Sequence, residues 1–248
     1  MLKRTPYTPW IDINGEHWPI ILRPRKGMKR ITLRRAPGKR AFIVSFSPRL
    51  ARRHVREFIT KHEAWMRRAG AAVPPDALVE PGAEFPFRGE RYLLEESKTR
   101  PDYPHRIGCV ETDTDRLVVW TGPAGFAPTL MAALKAEART HYAAQVRKDC
   151  GVLGLNMPRI HIGDAKSRWG HCRRGKRGIQ LGFSWRAIMA PPFVLRYLSA
   201  HECAHILHMN HGPAFWDCVG SLDPDYQRAE TWLKCEGSTL MHYSFARS

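Results

Sequence analysis

Residues 201 to 216, HECAHILHMNHGPAFW, place four of the chain's twelve histidines within eleven positions. His201 and His205 are four apart, so on a helix both imidazoles leave one face about a turn from each other, as two donors to one tetrahedral metal must. Glu202 lies between them, where its carboxylate can reach a metal-held water without displacing a ligand, the general-base placement of H-E-x-x-H hydrolases. His208 shares the face but stands seven residues from His201, a rise of about 10.5 Å, too long for bonds of about 2.0 Å from both to one zinc. A supporting, capping or surface role is expected of it. His211 differs, because Asn210 and Gly212-Pro213 break the helix and can swing the chain back toward the metal. His201, His205 and His211 then have the H-E-x-x-H-x-x-x-x-x-H spacing of metzincin-like sites. Asp225 and Glu230, in LDPDYQRAETWL, are the competing acidic ligands. Cys203 points about 200° from His201 and reads as a small core residue.

The elements that must position these residues can be read from periodicity. Pro191 and Pro192 open a helix that runs through FVLRYLSAHECAHILH, since proline is tolerated in a first turn. Before it, RIHIGDAKSRWG (159 to 170) and GIQLGFSWR (178 to 186) are strand candidates separated by a basic turn, CRRGKR. TLMAALKAEARTHYAAQVRKDCG (129 to 151) predicts a helix with Thr129 as N-cap and Gly151 as the closing glycine. The Gly/Pro-rich TGPAGFAP (121 to 128) sets the expected boundary between domains 1–125 and 126–248. In the first half, RITLRR and AFIVSF predict a hairpin around Pro37-Gly38, and 82 to 97 and 116 to 120 further short strands. Val55, Phe58, Ile59, His62 and Trp65 recur at helical spacing over 51 to 72. The expected fold is α+β: a small mixed β domain with a helix, then a domain whose histidine helix packs on a small sheet. No internal repeat is visible.

Composition bounds the rest. At 248 residues and 43% hydrophobic, the chain can bury a sizeable core. Its first residues lack the apolar run of a signal peptide and no apolar stretch reaches eighteen, which predicts a soluble cytoplasmic protein with no membrane partner. Six cysteines without C-x-x-C spacing read as reduced thiols. The net charge of +17 is concentrated in residues 1 to 70, with 18 Lys and Arg against 4 Asp and Glu. Such a field attracts anions, nucleic acid among them, although it also suits a merely solvated face.

Taken together, KSRWGHC (166 to 172), LGFSWRAIMAPP (181 to 192), HECAHILHMNHGPAFW and PDYQRAETWL (224 to 233) resemble the YgjP-like metallopeptidases, a bacterial group related to the SprT-like proteases. RITLRR and KHEAWM extend the likeness over nearly the whole chain. The resemblance implies a zincin-type catalytic domain in the C-terminal half, with one zinc held by His201, His205 and His211 and Glu202 as base. His171, Cys203 and Ser184 depart from the Ser, Leu and Asn common in the family.

The expected chemistry is peptide hydrolysis by a metal-activated water, with Glu202 carrying its proton to the leaving amine. His171, Arg186 and Tyr226 are candidates to stabilise the developing oxyanion, and Trp169 is a candidate substrate contact against a reading as a packed turn. The strand beside the histidine helix is expected to offer an edge to an extended polypeptide substrate. The basic N-terminal region is the candidate recruiter of nucleic-acid-bound substrates. Two rival classes are a metal-dependent nucleotide phosphoanhydride hydrolase and a non-catalytic nucleic-acid-binding protein with a structural zinc. The first lacks a G-x-x-x-x-G-K-[ST] phosphate loop, and the second would close the fourth ligand position.

Overall fold

The computed structural model describes residues 9–36, 39–71, 77–99, 115–121 and 123–245, and the backbone of 110–113. The chain divides into two compact units, residues 1–75 and 76–248.

In the first unit β1 (Trp10–Ile13) and β2 (Glu16–Pro24) form a hairpin across Asn14 (φ 53) and Gly15 (φ 82). Two successive positive φ values match the twist of the flanking strands, and Asn-Gly is the pair that adopts them most readily. β3 (Thr32–Arg35) pairs antiparallel with β4 (Phe42–Phe46), and β4 pairs parallel with β2, giving the order β1-β2-β4-β3. The expected strands are thus present, while the Pro37-Gly38 turn lies outside the described residues. One sheet face joins Trp18, Ile20, Phe42 and Val44 to Val55 and Met66 of the helices. The expected single helix is two, α1 (Arg52–Lys61) and α2 (Glu63–Ala71), broken at His62, whose Nδ1 lies 2.8 Å from the Phe58 carbonyl. Val55 is buried, but Trp65 is 41% exposed because past the break Met66 takes the inward position.

The second unit begins with β5 (Ala77–Leu78), β6 (Glu84–Phe87), β7 (Glu90–Ser97), β8 (Val110–Asp113) and β9 (Arg116–Trp120). The last four form a sheet in the order β6-β7-β9-β8. Phe85, Leu94, Leu117 and Val119 of that sheet share one core with Phe126, Leu130 and Leu134 of α3 (Phe126–Val152). The unit boundary therefore falls at Pro75, and the Gly/Pro stretch near 125 instead opens α3 inside the second unit. Gly125 (φ 86) precedes that helix, and the Thr129 hydroxyl donates to the Gly125 carbonyl from within the first turn, so Thr129 is not the N-cap. At the other end Gly151 is helical. Gly154 (φ 64) turns the chain, with Leu155 N–H bonded to the Cys150 carbonyl at 2.8 Å, the wrapped closure a left-handed glycine permits.

β10 (Arg159–Gly163), β11 (Gly170–Gly175) and β12 (Gly178–Ser184) make a sheet in the order β10-β12-β11. The two expected strands are three, because 159 to 170 is interrupted and most of the supposed basic turn is β11 itself. The turn is only Lys176-Arg177. After a 3₁₀ turn (Trp185–Met189) come α4 (Pro192–Leu207), α5 (Pro213–Leu222), α6 (Tyr226–Cys235), a second 3₁₀ turn (Gly237–His242) and β13 (Tyr243–Ser244), which pairs with β5. Leu181 and Phe183 of β12 face the core that α4 enters, as an α+β fold with the histidine helix on a small sheet requires. Among the described residues Cys150, Cys172, Cys203, Cys218 and Cys235 are free thiols, and no helix is long and apolar enough to cross a membrane.

Candidate metal centre

α4 is buried on nearly all sides, with Val194, Leu195, Leu198, Ala200, Cys203, Ala204 and Ile206 in the core. Cys203, fully buried, is the core residue its angular position predicts. Polar groups also hold this helix in place. The buried Asp149 carboxylate of α3 accepts from Arg196 at 2.8 Å and from the Ser199 hydroxyl at 2.7 Å, so an ionised group is paired rather than stranded. The helix stops at Leu207, where His208 turns extended (φ −124, ψ 102) with its N–H on the Ala204 carbonyl. Gly212 N–H bonds the Asn210 carbonyl and Pro213 starts α5, so the five residues between the helices bring His211 back over α4.

Three imidazoles converge there. Nε2 of His201 and Nε2 of His211 are 3.3 Å apart, and one nitrogen from each of His201, His205 and His211 lies within 4.8 Å of the others. Two nitrogens on one tetrahedral zinc with bonds of about 2.0–2.1 Å are about 3.3–3.4 Å apart, so this pair already has a shared-ligand separation. The His205 Nδ1 lies 3.0 Å from the His208 carbonyl. A carbonyl only accepts, so Nδ1 carries the hydrogen and Nε2 keeps a free lone pair. His208 therefore acts through its backbone. The fully buried Phe215 touches all three rings, with centroids 4.6–4.9 Å away, and Trp216 stacks on His211 at 5.9 Å. Burial and then the neighbouring imidazoles push His201 down to about 3, and burial also lowers His205, so these rings are neutral donors.

Glu202 is 4% exposed, and its carboxylate lies against Gly170 of β11, where any Cβ would overlap Oε1. Burial raises it to about 8, partly opposed by Arg168, and its buried Oε2 has no hydrogen-bond partner. A stranded acceptor of this kind marks a place for a polar ligand, water or cation. With three convergent lone pairs beside it, the donor set fits a divalent metal.

The other candidates separate by strand pleat and burial. His171 neighbours Gly170 on β11 and so projects from the opposite sheet face, where its ring covers the bare Gly182. It does not face Glu202. Arg186 is 2% exposed and committed to Asp164 at 2.7 Å and to the Leu240 and Tyr243 carbonyls, a clamp on the C-terminal segment rather than an oxyanion donor. Trp169 packs against Gly237, and its carbonyl accepts from Ser184 N–H, in keeping with a packed turn. Only Tyr226 reaches the rim, stacked on Trp216 at 5.3 Å. Asp225 pairs with Arg228 at 3.7 Å, and neither it nor Glu230 joins the histidine cluster. Sequence reasoning missed Gly170, Phe215 and Tyr197. The last stands four before His201 on the same helix face, a spacing that could have revealed it, and its hydroxyl lies 3.1 Å from His201 Nδ1.

A family model described as YgjP-like, metallopeptidase domain, matches residues 29–236. No curated protein and no solved structure matches the chain.

Proposed function

The chain belongs to the YgjP-like metallopeptidase domain family, which makes a metal-dependent peptidase the coarse reading, and from that premise we propose a zinc peptidase in which His201, His205 and His211 hold the ion and Glu202 is the general base. The observation that carries it is the convergence of three imidazole nitrogens beside a buried carboxylate whose Oε2 has no protein partner. When bound, zinc supplies Lewis acidity, lowering the pKa of a water to about 7 and polarising a carbonyl. Glu202 takes a proton from the attacking water at Oε2 and gives it to the departing amine. Burial leaves little water to compete for that carboxylate, which must be ionised to accept the proton, a state that a cation on the histidines would favour. Gly170 lets the strand approach this carboxylate closely.

The substrate strand is proposed to add to β11. That strand pairs only with β12 among the described residues, so its other edge offers backbone donors and acceptors to an extended polypeptide. The basic first unit is proposed to bring nucleic-acid-bound proteins to the site through phosphate contacts. Replacing Glu202 with Gln tests the reading. Cleavage of unfolded protein should fall by at least about 10²-fold while zinc content stays near one per chain. Retained cleavage, or loss of nucleoside triphosphate hydrolysis alone, would reject it.

A further inference from the structure

We propose that the outer face of the three-stranded sheet β10-β12-β11 binds single-stranded nucleic acid, with Arg159 and Arg173 on its phosphates and the His171 ring beneath a base. The site belongs to the second unit rather than to the basic first unit, and it does not rest on the metal centre.

Register and pleat compose this face. Arg159 of β10 and Arg173 of β11 both pair with Gln180 of β12, and His161 and His171 both pair with Gly182. Residues level with one another on neighbouring strands project to one side, so these positions form two rows, Arg-Gln-Arg and His-Gly-His. Ile162, Leu181 and Phe183, which alternate with them, are in the core, so the rows lie on the outer side. Arg159, His161 and Arg173 are exposed. Neighbouring strands lie about 4.7–4.9 Å apart, which sets the two arginines about 10 Å apart across the sheet. The His171 ring occupies the space above Gly182, where a Cβ would come 2.1–2.7 Å from three of its atoms. An aromatic ring thus lies on the floor between the arginine-bearing strands. The Lys176-Arg177 turn continues the positive charge beyond Gly175 and Gly178.

A merely solvated face balances its own charges, as on β6-β7-β9-β8, where Arg91 and Arg116 are held by Glu84 and Glu95. Here residues 159–184 carry seven Lys and Arg against one acid, Asp164, itself bonded to Arg186. Arg159 and Arg173 have no ion-pair partner among the described residues. Neither row contains an apolar side chain. A protein interface is built around an apolar centre, which this face lacks, whereas nucleic-acid interfaces are polar and strongly positive. Guanidinium forks match phosphate oxygens. A ring between them offers a stacking surface to an unpaired base, which a duplex keeps inside its own stack.

Measurements on the full chain test this. A single-stranded DNA of about 12 nucleotides carrying bromodeoxyuridine, irradiated on the protein, should attach within residues 159–184, and attachment confined to residues 1–75 would overturn the proposal. In anisotropy titrations His171→Ala should weaken binding of the single strand about 5–150-fold, the range for one stacked base, and His171→Phe should restore it. Duplex of the same length should respond little to either. Arg159→Gln and Arg173→Gln should each lower the salt slope by about 0.7, the value for one single-strand phosphate. Equal losses on duplex, no restoration by phenylalanine, or variants that keep both affinity and slope would reject the site. Polyglutamate displacing the probe as well as unlabelled DNA does would assign the face to acidic polypeptide and equally reject it.

Discussion

The four-stranded sheets of the two units share one pairing scheme, β1-β2-β4-β3 in the first and β6-β7-β9-β8 in the second. In each an opening hairpin is followed by a parallel step and an antiparallel return. Both hairpins close on two residues with positive φ, Asn14-Gly15 and Arg88-Gly89. Their surroundings differ. A Cβ on Gly15 would meet open space, whereas one on Gly89 would come 2.9 Å from the Pro191 Cα. Arg88 and Gly89 N–H groups also bond the Ile188 and Met189 carbonyls just before α4. Charge differs too, with nine Lys and Arg against two Asp and Glu over residues 10–46 and six against eight over 84–120. Arg91 and Arg116 of the second sheet face its own Glu84 and Glu95 at 3.3 and 3.0 Å. The same topology thus carries anion-attracting charge in one unit and in the other a brace for the helix that bears the histidines. Buried alternation sets the pairing, and the opposite face and the turns are free to diverge.

Matched substitutions can break this comparison. Phe42 and Phe85 are both fully buried, one in each core. Either changed to Ala should cost about 3–5 kcal/mol in urea unfolding, but only Phe85→Ala should also reduce zinc retention. Zinc loss in Phe42→Ala would show that the cores are not independent. Gly70 and Gly170 form a second pair, since an added Cβ would overlap Ile13 Cδ1 at the first and Glu202 Oε1 at the second. Gly70→Ala should cost about 1–3 kcal/mol from overpacking and leave hydrolysis alone. Gly170→Ala should lower hydrolysis about 10²-fold by displacing the carboxylate with zinc still bound, and unchanged turnover would separate Gly170 from the chemistry. The smallest effect concerns charge. Arg34 and Arg35 have no ion-pair partner among the described residues, and changing both to Gln should reduce the salt slope of DNA binding by up to about 0.9 for each phosphate no longer neutralised. Arg91 and Arg116 changed likewise should not, and an equal response from both pairs would remove the distinction between the sheets.

Much of this was legible in the chain. Proline at the start and apolar residues throughout marked α4, and spacing brought His201, His205 and His211 together while placing Cys203 in the core. Asn14-Gly15 signals a hairpin as strongly as any pair of residues can, yet the WIDI segment before it is too short for alternation to mark it as a strand. Thr129 misled because a threonine hydroxyl can bond a carbonyl four residues back as well as cap. Gly151 misled because a glycine inside a helix resembles one that ends it, and the left-handed turn came three residues later at Gly154. The repeated sheet topology leaves no sequence repeat, since alternation constrains polarity and not identity.

By itself the sequence determined the metal-binding spacing, the α+β class and the basic first third, because helical period, strand alternation and charge are properties of neighbouring residues. Tertiary structure decided the rest. It put His171 behind the sheet, buried Arg186 in a clamp, set Gly170 against Glu202 and brought Asp149 of α3 to Arg196 and Ser199 of α4. Those relations join positions far apart in the chain, and which side chains meet there depends on pleat, register and helix packing that no local pattern encodes.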